Sequence, residues 1–181
     1  MSNVSPAFIF IHGAWHNAET WRLVKPLLEA RGHAVHALDL PGAGTNARTP
    51  LAYERRPLDV VAFATEPSPN ARVTQQERTR AVTSLIDEVT RNGSTPVVLV
   101  GHSLGGLTVT AAAEATPEQT RAVVYLSAFL LPNSMTAHAM IEFPIMASSL
   151  VPSLFLADPA LVGAWRLDPR SDRADYQRQM R

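Results

Sequence analysis

The clearest pattern along the chain is a set of short, continuous apolar runs separated by longer amphipathic or polar stretches. Each run is rich in Val, Ile, Leu or Phe, which is typical of a strand that is buried on both faces. The four runs are Ala7–Ile11, Ala34–Leu38, Pro96–Val100 and Ala122–Leu126. Because their hydrophobicity is mostly continuous, they favour a parallel sheet whose two faces are covered by crossover segments.

Helical periodicity occupies three of the intervening stretches. Thr20–Arg31 carries apolar residues on one side, and Pro26 is expected to kink or restart that helix. Thr74–Asn92 opens with Thr74 and Glu77, which have the spacing of a capping box. A third helix is predicted from about Leu104 to Ala115. Strands and helices then alternate as β-α-β-(loop)-α-β-α-β, which predicts an α/β fold with right-handed crossovers.

Two regions interrupt this alternation. Residues Pro41–Val73 are rich in Pro, Gly and Asn and lack clear periodicity, so they are predicted to form a long connection. The chain after Leu130 is apolar but irregular and contains no convincing fifth strand. Within it, Asp158-Pro159 and Asp168-Pro169 are typical of turns or helix starts.

Composition and charge narrow the classes of function. The 181 residues suit one domain, and the 16 basic and 16 acidic side chains balance, so nothing indicates binding to nucleic acid or to an anionic membrane. The absence of cysteine excludes disulfides, a thiolate metal site and a cysteine nucleophile. The first residues are typical of a strand and not of a signal peptide, and no apolar run approaches a membrane span. We therefore expect a soluble, cytoplasmic protein.

The strongest chemical signal is GHSLGG, residues 101–106, which fits the pattern G-x-S-x-G. A predicted strand precedes it and a predicted helix follows it, the context of a nucleophile elbow. In that turn Gly101 and Gly105 stand where a Cβ would clash, and Ser103 is exposed near a helix N-terminus that favours developing negative charge. The sequence therefore predicts Ser103 as a catalytic nucleophile. The alternative is a chance match in a glycine-rich turn, with Ser103 as an ordinary helix cap.

The first strand ends in HGAWH, residues 12–16. This loop and the elbow follow strands that end at the same edge of a parallel sheet, where binding sites form. By position, the backbone N–H groups of Ala14 and Leu104 would form an oxyanion hole, in which each donor is often worth about 3 kcal/mol. The alternative for HGAW is an ordinary turn between a strand and a helix.

At these residues the chain resembles a known family. IHGAWHNAETWRLVKPLLEARGHAVHALDLPGAGTN, VVLVGHSLGG and VVYLSAFLLP are similar to the α/β-hydrolase fold. The closest resemblance is to its methylesterase and hydroxynitrile-lyase-like branch and to bacterial esterase relatives. The resemblance implies a cofactor-free serine hydrolase acting on small esters, with Ser103 as nucleophile and Ala14 and Leu104 as oxyanion donors. No metal is implied.

The resemblance also implies an architecture. Residues 1–130 would form the N-terminal part of the α/β-hydrolase core, with at least four parallel strands, and residues 131–181 the beginning of a mobile helical cap. Trp15 and Phe129 would flank the mouth of the substrate pocket, although Trp15 is equally explained as a packing residue. Lyases of this branch typically carry a Thr directly after the first-strand histidine, where Gly13 stands here, so ester hydrolysis is favoured over cyanohydrin cleavage.

The partners of Ser103 are harder to place. His138 is the only histidine after Ser103 that could act as its base, but its segment fits a loop or cap-helix position better. The acid position that some relatives use after the fourth strand is occupied by Ser127-Ala128-Phe129, which contains no carboxylate. The later aspartates fit turns and caps: Asp158, Asp168, Asp172 and Asp175. The resemblance places the acid and histidine beyond the stretch that it covers.

Three functions remain open from the sequence. The first is an esterase whose triad is completed by residues outside this chain, and the second is lyase chemistry on the same scaffold. The third is an inactive hydrolase fold that serves as a binding or assembly module. In each case Ala122–Leu126 would be an apolar edge strand, which invites association. We therefore expect a homo-oligomer or a further C-terminal segment to cover that strand.

Overall fold

The computed structural model describes residues 5–91 and 95–171. Its sheet contains four parallel strands: β1 (Ala7–Ile11), β2 (Val35–Ala37), β3 (Val97–His102) and β4 (Thr120–Leu126). They are arranged in the order β2-β1-β3-β4, so β1 and β3 are the inner strands. The predicted parallel α/β fold is confirmed, and each strand lies within two residues of its predicted position.

Seven short or medium α-helices accompany the sheet in the described residues. They are α1 (Lys25–Glu29), α2 (Leu51–Glu54), α3 (Val60–Thr65), α4 (Gln75–Thr90), α5 (Gly105–Ala115), α6 (Ala137–Ile141) and α7 (Pro159–Val162). Single 3₁₀ turns also form at Ala18–Trp21, Gly44–Asn46, Pro144–Met146 and Val151–Leu154. No helix in the described residues is both long enough and apolar enough to cross a bilayer.

Local sequence signals explain where these helices begin. The Thr74 hydroxyl accepts a hydrogen bond from the Glu77 N–H, and the Glu77 carboxylate accepts one from the Thr74 N–H, so the predicted capping box is present at α4. Pro26 restarts the first predicted helix: the 3₁₀ turn at Ala18–Trp21 ends before it, and Pro26 lies in the first turn of α1. The predicted end of α4 at Asn92-Gly93 lies outside the described residues.

The chain divides into two compact units. The first unit comprises residues 1–47 and 73–137 and contains the whole sheet. The second comprises residues 48–72 and 138–181. The predicted boundary between residues 130 and 131, and the role of the later residues as a cap, stay predictions.

The core of the first unit consists of two apolar clusters on opposite faces of the sheet. On one face, α4 and α5 pack Val82, Ile86 and Val109 against Ile9 and Leu99. On the other face, Trp21 and the partly buried Leu28 pack with three strand residues: Phe10, Val35 and Val98. Because β1 and β3 contribute to both clusters, they are held from both faces of the sheet. Full burial of one such side chain contributes about 1.5–3 kcal/mol.

The fourth strand departs from the predicted burial. Val123 and Tyr125 pack against the α5 side of the sheet, whereas Val124 and Leu126 on the other face are 42% and 49% exposed. The prediction that all four runs are covered on both faces is therefore wrong for β4. The reason is its edge position, since the elements on that face pack toward β1 and β2. The expected coverage of β4 by a second copy or by a further segment stays a prediction.

The second unit corrects the prediction of one irregular connection over residues 41–73. Two short helices, α2 and α3, form within it, because Pro50 precedes the first and the Asp59 carboxylate caps the second by accepting from the Ala62 N–H. Helices of four and six residues are too short to show an amphipathic period.

Side chains from the end of the chain hold these short helices in place. The buried guanidinium of Arg166 donates to the carbonyl oxygens of Phe63 and Glu66. Asp168 forms an ion pair with Arg56 at 3.0 Å, and Asp158 caps α7 by accepting from the Ala160 N–H. Asp158 and Asp168 are therefore cap and turn residues, as predicted, whereas Asp172 and Asp175 lie outside the described residues.

Candidate active site

The candidate nucleophile Ser103 lies in the tight turn between β3 and α5. Its φ is +51°, in the left-handed region that costs a non-glycine residue about 1–3 kcal/mol. The turn is held by the Ser103 carbonyl, which accepts from the N–H groups of Gly106 and Phe129 at 3.1 and 3.0 Å. The N-cap position of α5 belongs to Leu104, so Ser103 does not serve as an ordinary helix cap.

The glycines of the elbow are required by the close approach of neighbouring backbone. A Cβ at Gly105 would lie 2.7 Å from the carbonyl oxygens of Ile11 and His12. A Cβ at Gly101 would lie 2.7 Å from a methyl group of Val109 in α5. The clash predicted at both positions is confirmed, and it shows that β1 and the start of α5 press directly against each other.

The loop that follows β1 lies against the elbow. A Cβ added to Gly13 would stand 2.8 Å from the Cβ of Ser103 and 3.2 Å from the carbonyl oxygen of His102. Only a residue without a side chain leaves room for this contact. The structure therefore brings together the two motifs that the sequence singled out, HGAW and GHSLGG.

Ala14 and Leu104 are the predicted oxyanion donors. Leu104 directly follows Ser103 and is the N-cap of α5, so its N–H lies at the helix end where the dipole favours negative charge. Ala14 follows Gly13 in the loop that contacts Ser103, and the next residue, Trp15, has a φ of +58°. Both residues lie on the segments that meet at Ser103, and their assignment as donors stays a prediction.

The environment of His12 fixes its protonation state. The ring is buried, and Nε2 lies 3.2 Å from the backbone N of Leu40 while Nδ1 lies 2.8 Å from the carbonyl oxygen of Gly13. Because the Leu40 N–H can only donate, Nε2 is the acceptor and the proton is on Nδ1. Burial lowers the pKa of His12, against smaller raising effects of the Gly13 hydrogen bond and of Asp39. His12 is therefore a neutral imidazole that bridges the two loops.

Asp39 braces the neighbouring loop. One carboxylate oxygen accepts from the Ala18 N–H at 2.8 Å, and the other accepts from the backbone and the hydroxyl of Thr45. These hydrogen bonds, that from Ala18 first, lower the pKa of Asp39. The carboxylate thus holds the segment after β2 beside Ala18, in the loop that follows β1.

Sequence reasoning did not identify His12 and Asp39 as parts of this site. The available signal for His12 was a histidine directly at the end of a buried strand. Its partner Leu40 is 28 residues away, however, and only the fold brings the two together.

The residues predicted to flank the substrate pocket lie on either side of the elbow in sequence. Trp15 is 50% exposed in the loop after β1. The backbone of Phe129 contacts the turn, since its N–H donates to the Ser103 carbonyl and its own carbonyl oxygen lies against Gly106. Their positions are compatible with a pocket beside Ser103, and that role stays a prediction.

His138 belongs to the second unit, in α6. Its side chain is largely exposed, with Nε2 3.7 Å from the Glu142 carboxylate one turn further along the helix. Its ring also lies 5.9 Å, centroid to centroid, from that of Trp165. These contacts are typical of a surface helix residue, and the role of His138 as a base stays a prediction.

His102 packs beside the loop after β1, since its Nδ1 would lie 3.1 Å from a Cβ added at Gly13. Its ring meets those of His16 and Trp21 edge to face, with centroid separations of 5.6 and 6.3 Å. Burial, and then the proximity of His16, lower the pKa of His102. The His102 ring thus packs with His16 and Trp21 next to the elbow.

Comparison with known proteins agrees with this geometry. The model of the alpha/beta hydrolase family matches residues 8–180. The chain belongs to that family. It is 37% identical to Methylesterase 1 of Arabidopsis thaliana over 123 residues, which are 68% of this chain and 39% of the relative. It is 31% identical to Alpha-hydroxynitrile lyase of Arabidopsis thaliana over 144 residues, which are 79% of this chain and 48% of that protein.

Solved structures of the family show the same fold. A pyrethroid hydrolase from Sphingobium faniae JZ-2 is 28% identical and superimposes with a TM-score of 0.54, covering 76% of this chain and 46% of the other. This chain thus spans less than half the length of each of these three relatives. Esterases among the relatives support a hydrolase at the level of the family.

Proposed function

We propose that the protein is a serine hydrolase acting on small carboxylic esters through an acyl-enzyme on Ser103. The observation that carries the proposal is the contact between the glycine of the HGAW loop and Ser103, in a turn where Ser103 has a left-handed φ. That arrangement supports Ser103 as the nucleophile and the two neighbouring backbone segments as donors to an oxyanion. The identity with Methylesterase 1 supports an ester as the substrate class.

The mechanism follows from these positions. The Ser103 hydroxyl attacks the ester carbonyl carbon, and its proton passes to a base. The N–H groups of Ala14 and Leu104 stabilise the tetrahedral oxyanion, and the alkoxide leaves with a proton from the same base. Water then attacks the acyl-enzyme and releases the acid. The base and its orienting carboxylate are expected from residues outside this chain, which spans 39% of Methylesterase 1 and 48% of Alpha-hydroxynitrile lyase.

Cyanohydrin cleavage is the second candidate, because Alpha-hydroxynitrile lyase is among the relatives. The lack of space for a side chain at Gly13 counts against cyanohydrin cleavage. The threonine that the family's lyases typically carry at this position would need a Cβ 2.8 Å from that of Ser103, so the loop would have to shift. We expect turnover of p-nitrophenyl esters and none of mandelonitrile, and the reverse result would favour the lyase.

An inactive binding module is the third candidate. What favours it is that neither histidine next to Ser103 in the first unit is available as a base. Both ring nitrogens of His12 are hydrogen-bonded to the backbone, and the ring of His102 packs against Trp21. Such a module would keep a pocket beside Ser103 but would not form an acyl-enzyme.

Labelling with a fluorophosphonate probe separates the esterase from the inactive module. We expect the intact, folded gene product to be labelled at Ser103 and its Ser103→Ala variant to be unlabelled. Ser134→Ala is the matched control, because Ser134 also has a positive φ and lies in a turn of the first unit. Folded protein that remains unlabelled, or labelling that survives in Ser103→Ala, would contradict the proposal.

A further inference from the structure

We propose that His12 is a positioning residue for the oxyanion hole: its imidazole fixes the peptide between Gly13 and Ala14 so that the Ala14 N–H is directed at Ser103. The inference rests on the proposed function. It assigns the orientation of one catalytic dipole to a buried side chain that does not itself contact the substrate.

The first step is the pair of hydrogen bonds. Nε2 of His12 accepts from the Leu40 N–H, which anchors the ring to the segment after β2. Nδ1–H then donates to the Gly13 carbonyl oxygen at 2.8 Å. The ring is buried, so water does not compete strongly for either bond. The imidazole is thus a rigid bridge between the backbones of two loops.

The second step is the planarity of the peptide bond. The Gly13 carbonyl and the Ala14 N–H belong to one trans peptide, so they point in opposite directions. Because the carbonyl is held toward the buried ring, the N–H is held away from it. Gly13 lies against Ser103, so that direction is available to an oxyanion formed there. The Gly13 carbonyl also accepts from the His16 N–H at 3.4 Å. Loss of the shorter Nδ1 bond would leave the peptide held by that longer bond alone and would therefore loosen it.

The third step is the charge around the ring. The groups that face His12 are Asp39 after β2, His16 in its own loop and Arg78 on α4. Protonation at Nε2 would place a donor against the Leu40 N–H, and the acceptor would be lost. The lowered pKa, caused mainly by burial, keeps the neutral ring in place.

Two substitutions separate the two hydrogen bonds. His12→Asn places an amide nitrogen near the position of Nδ1 and keeps a donor for Gly13, whereas His12→Gln places an oxygen near Nε2 and keeps only the acceptor for Leu40. Loss of an oxyanion donor typically costs about 10²–10³-fold. We expect His12→Gln to slow fluorophosphonate labelling of Ser103 by at least about tenfold at an unchanged half-saturating probe concentration. We expect His12→Asn to retain most of the rate.

His36→Asn and His36→Gln are the matched controls, because His36 is only partly buried and lies in β2, an edge strand of the sheet. We expect both to label at the rate of the unmodified protein. Equal labelling rates for His12→Asn and His12→Gln, or a changed half-saturating concentration alone, would overturn the inference.

Nuclear magnetic resonance tests the same inference without catalysis. We expect nitrogen-15 spectra of the unmodified protein at neutral pH to show the His12 tautomer with its proton on Nδ1. We also expect the Ala14 amide resonance to move in His12→Gln and to stay in place in His12→Asn. A proton on Nε2, or an Ala14 amide that is indifferent to both substitutions, would overturn the inference. If the spectra show the expected His12 tautomer and Ala14 amide shifts but the fluorophosphonate probe does not label the unmodified protein, the proposed function is wrong and the orienting role of His12 is supported.

Discussion

The two units differ in the interactions that stabilise each of them internally. The first unit is a parallel sheet between two apolar clusters, and its central strands are almost completely buried. The second unit consists mainly of helices of four to six residues, and its apolar cluster is small, with Leu154 and Leu167 as its buried members. Guanidinium groups that bind backbone carbonyls and the Arg56–Asp168 ion pair also hold it. Non-directional apolar contacts tolerate small changes in side-chain angle, whereas hydrogen bonds to buried carbonyls fail when one donor is removed.

This difference explains where the candidate site lies. A nucleophile in a strained turn needs surroundings that determine its conformation, and the elbow rests on β3, α5 and the loop after β1. All of these belong to the first unit. Substitutions that weaken each unit by its own mechanism test the comparison.

The largest effect is expected from Leu99→Ala in β3. Leu99 is fully buried in the cluster that the sheet forms with α4 and α5, and truncation of such a residue costs about 2–5 kcal/mol. Chemical denaturation should therefore show a large loss in the free energy of unfolding. Leu23→Ala is the control, since Leu23 is 70% exposed, and a similar loss there would contradict the account of the core.

Arg166→Met is expected to weaken the second unit. The substitution leaves the carbonyl oxygens of Phe63 and Glu66 without their donor, at a cost of about 1–3 kcal/mol. Hydrogen exchange should accelerate in residues 60–66 and remain unchanged in β1 and β3. Arg55→Met, at an exposed position of the same unit, should leave exchange unaltered. Unchanged exchange in Arg166→Met would mean that apolar packing alone holds this unit.

A smaller loss is expected from Thr74→Ala. This substitution removes the hydroxyl of the capping box, and removal of such a cap costs about 1 kcal/mol. Thermal unfolding should show a modest decrease in Tm, while Ser84→Ala, on the exposed side of α4, should not. An equal decrease in both variants would show that helix propensity and not capping is measured.

The smallest effect concerns pH. The pKa of His12 is lowered in the folded protein, so the unfolded chain takes up a proton first as the pH falls below about 6.5. The free energy of unfolding should decrease from that pH downward, until the folded state also binds the proton. His12→Asn should lack this component.

The carboxylates give a separate window at lower pH. The pKa values of Asp39, Glu66 and Glu77 are lowered, chiefly by backbone N–H donors from Ala18, Ala52 and Thr74. Their contribution is present above about pH 4 and is lost as the pH falls through the folded-state values.

A stability profile that is flat between pH 7 and 5 in the unmodified protein would contradict the neutral state of His12.

What the sequence predicted well depended on neighbouring residues. Continuous apolar runs located the strands, and Thr74 with Glu77 located the start of α4. The elbow was predicted from six consecutive residues because its strand, turn and helix are local. Position at the edge of the sheet explains why the burial of β4 was misjudged, since the residues themselves are as apolar as those of β3.

What the sequence could not give depends on distant contacts. Arg166 reaches Phe63 across 103 residues, and no local pattern announces that helix α3 needs this donor. His12 reaches Leu40 across 28 residues, so its bridging role appears only when β1 and β2 are placed side by side.

The lack of space at Gly13 has a consequence for laboratory evolution. If the proposed function holds, a saturation library at this position should return only the parental residue among active clones, because every other side chain meets Ser103 or the backbone of His102. Diversity in the same loop is expected at Trp15, whose side chain is half exposed and whose left-handed φ also suits Gly or Asn. Sequence change in this loop is therefore expected at Trp15, two residues beyond the position where the lack of space excludes it.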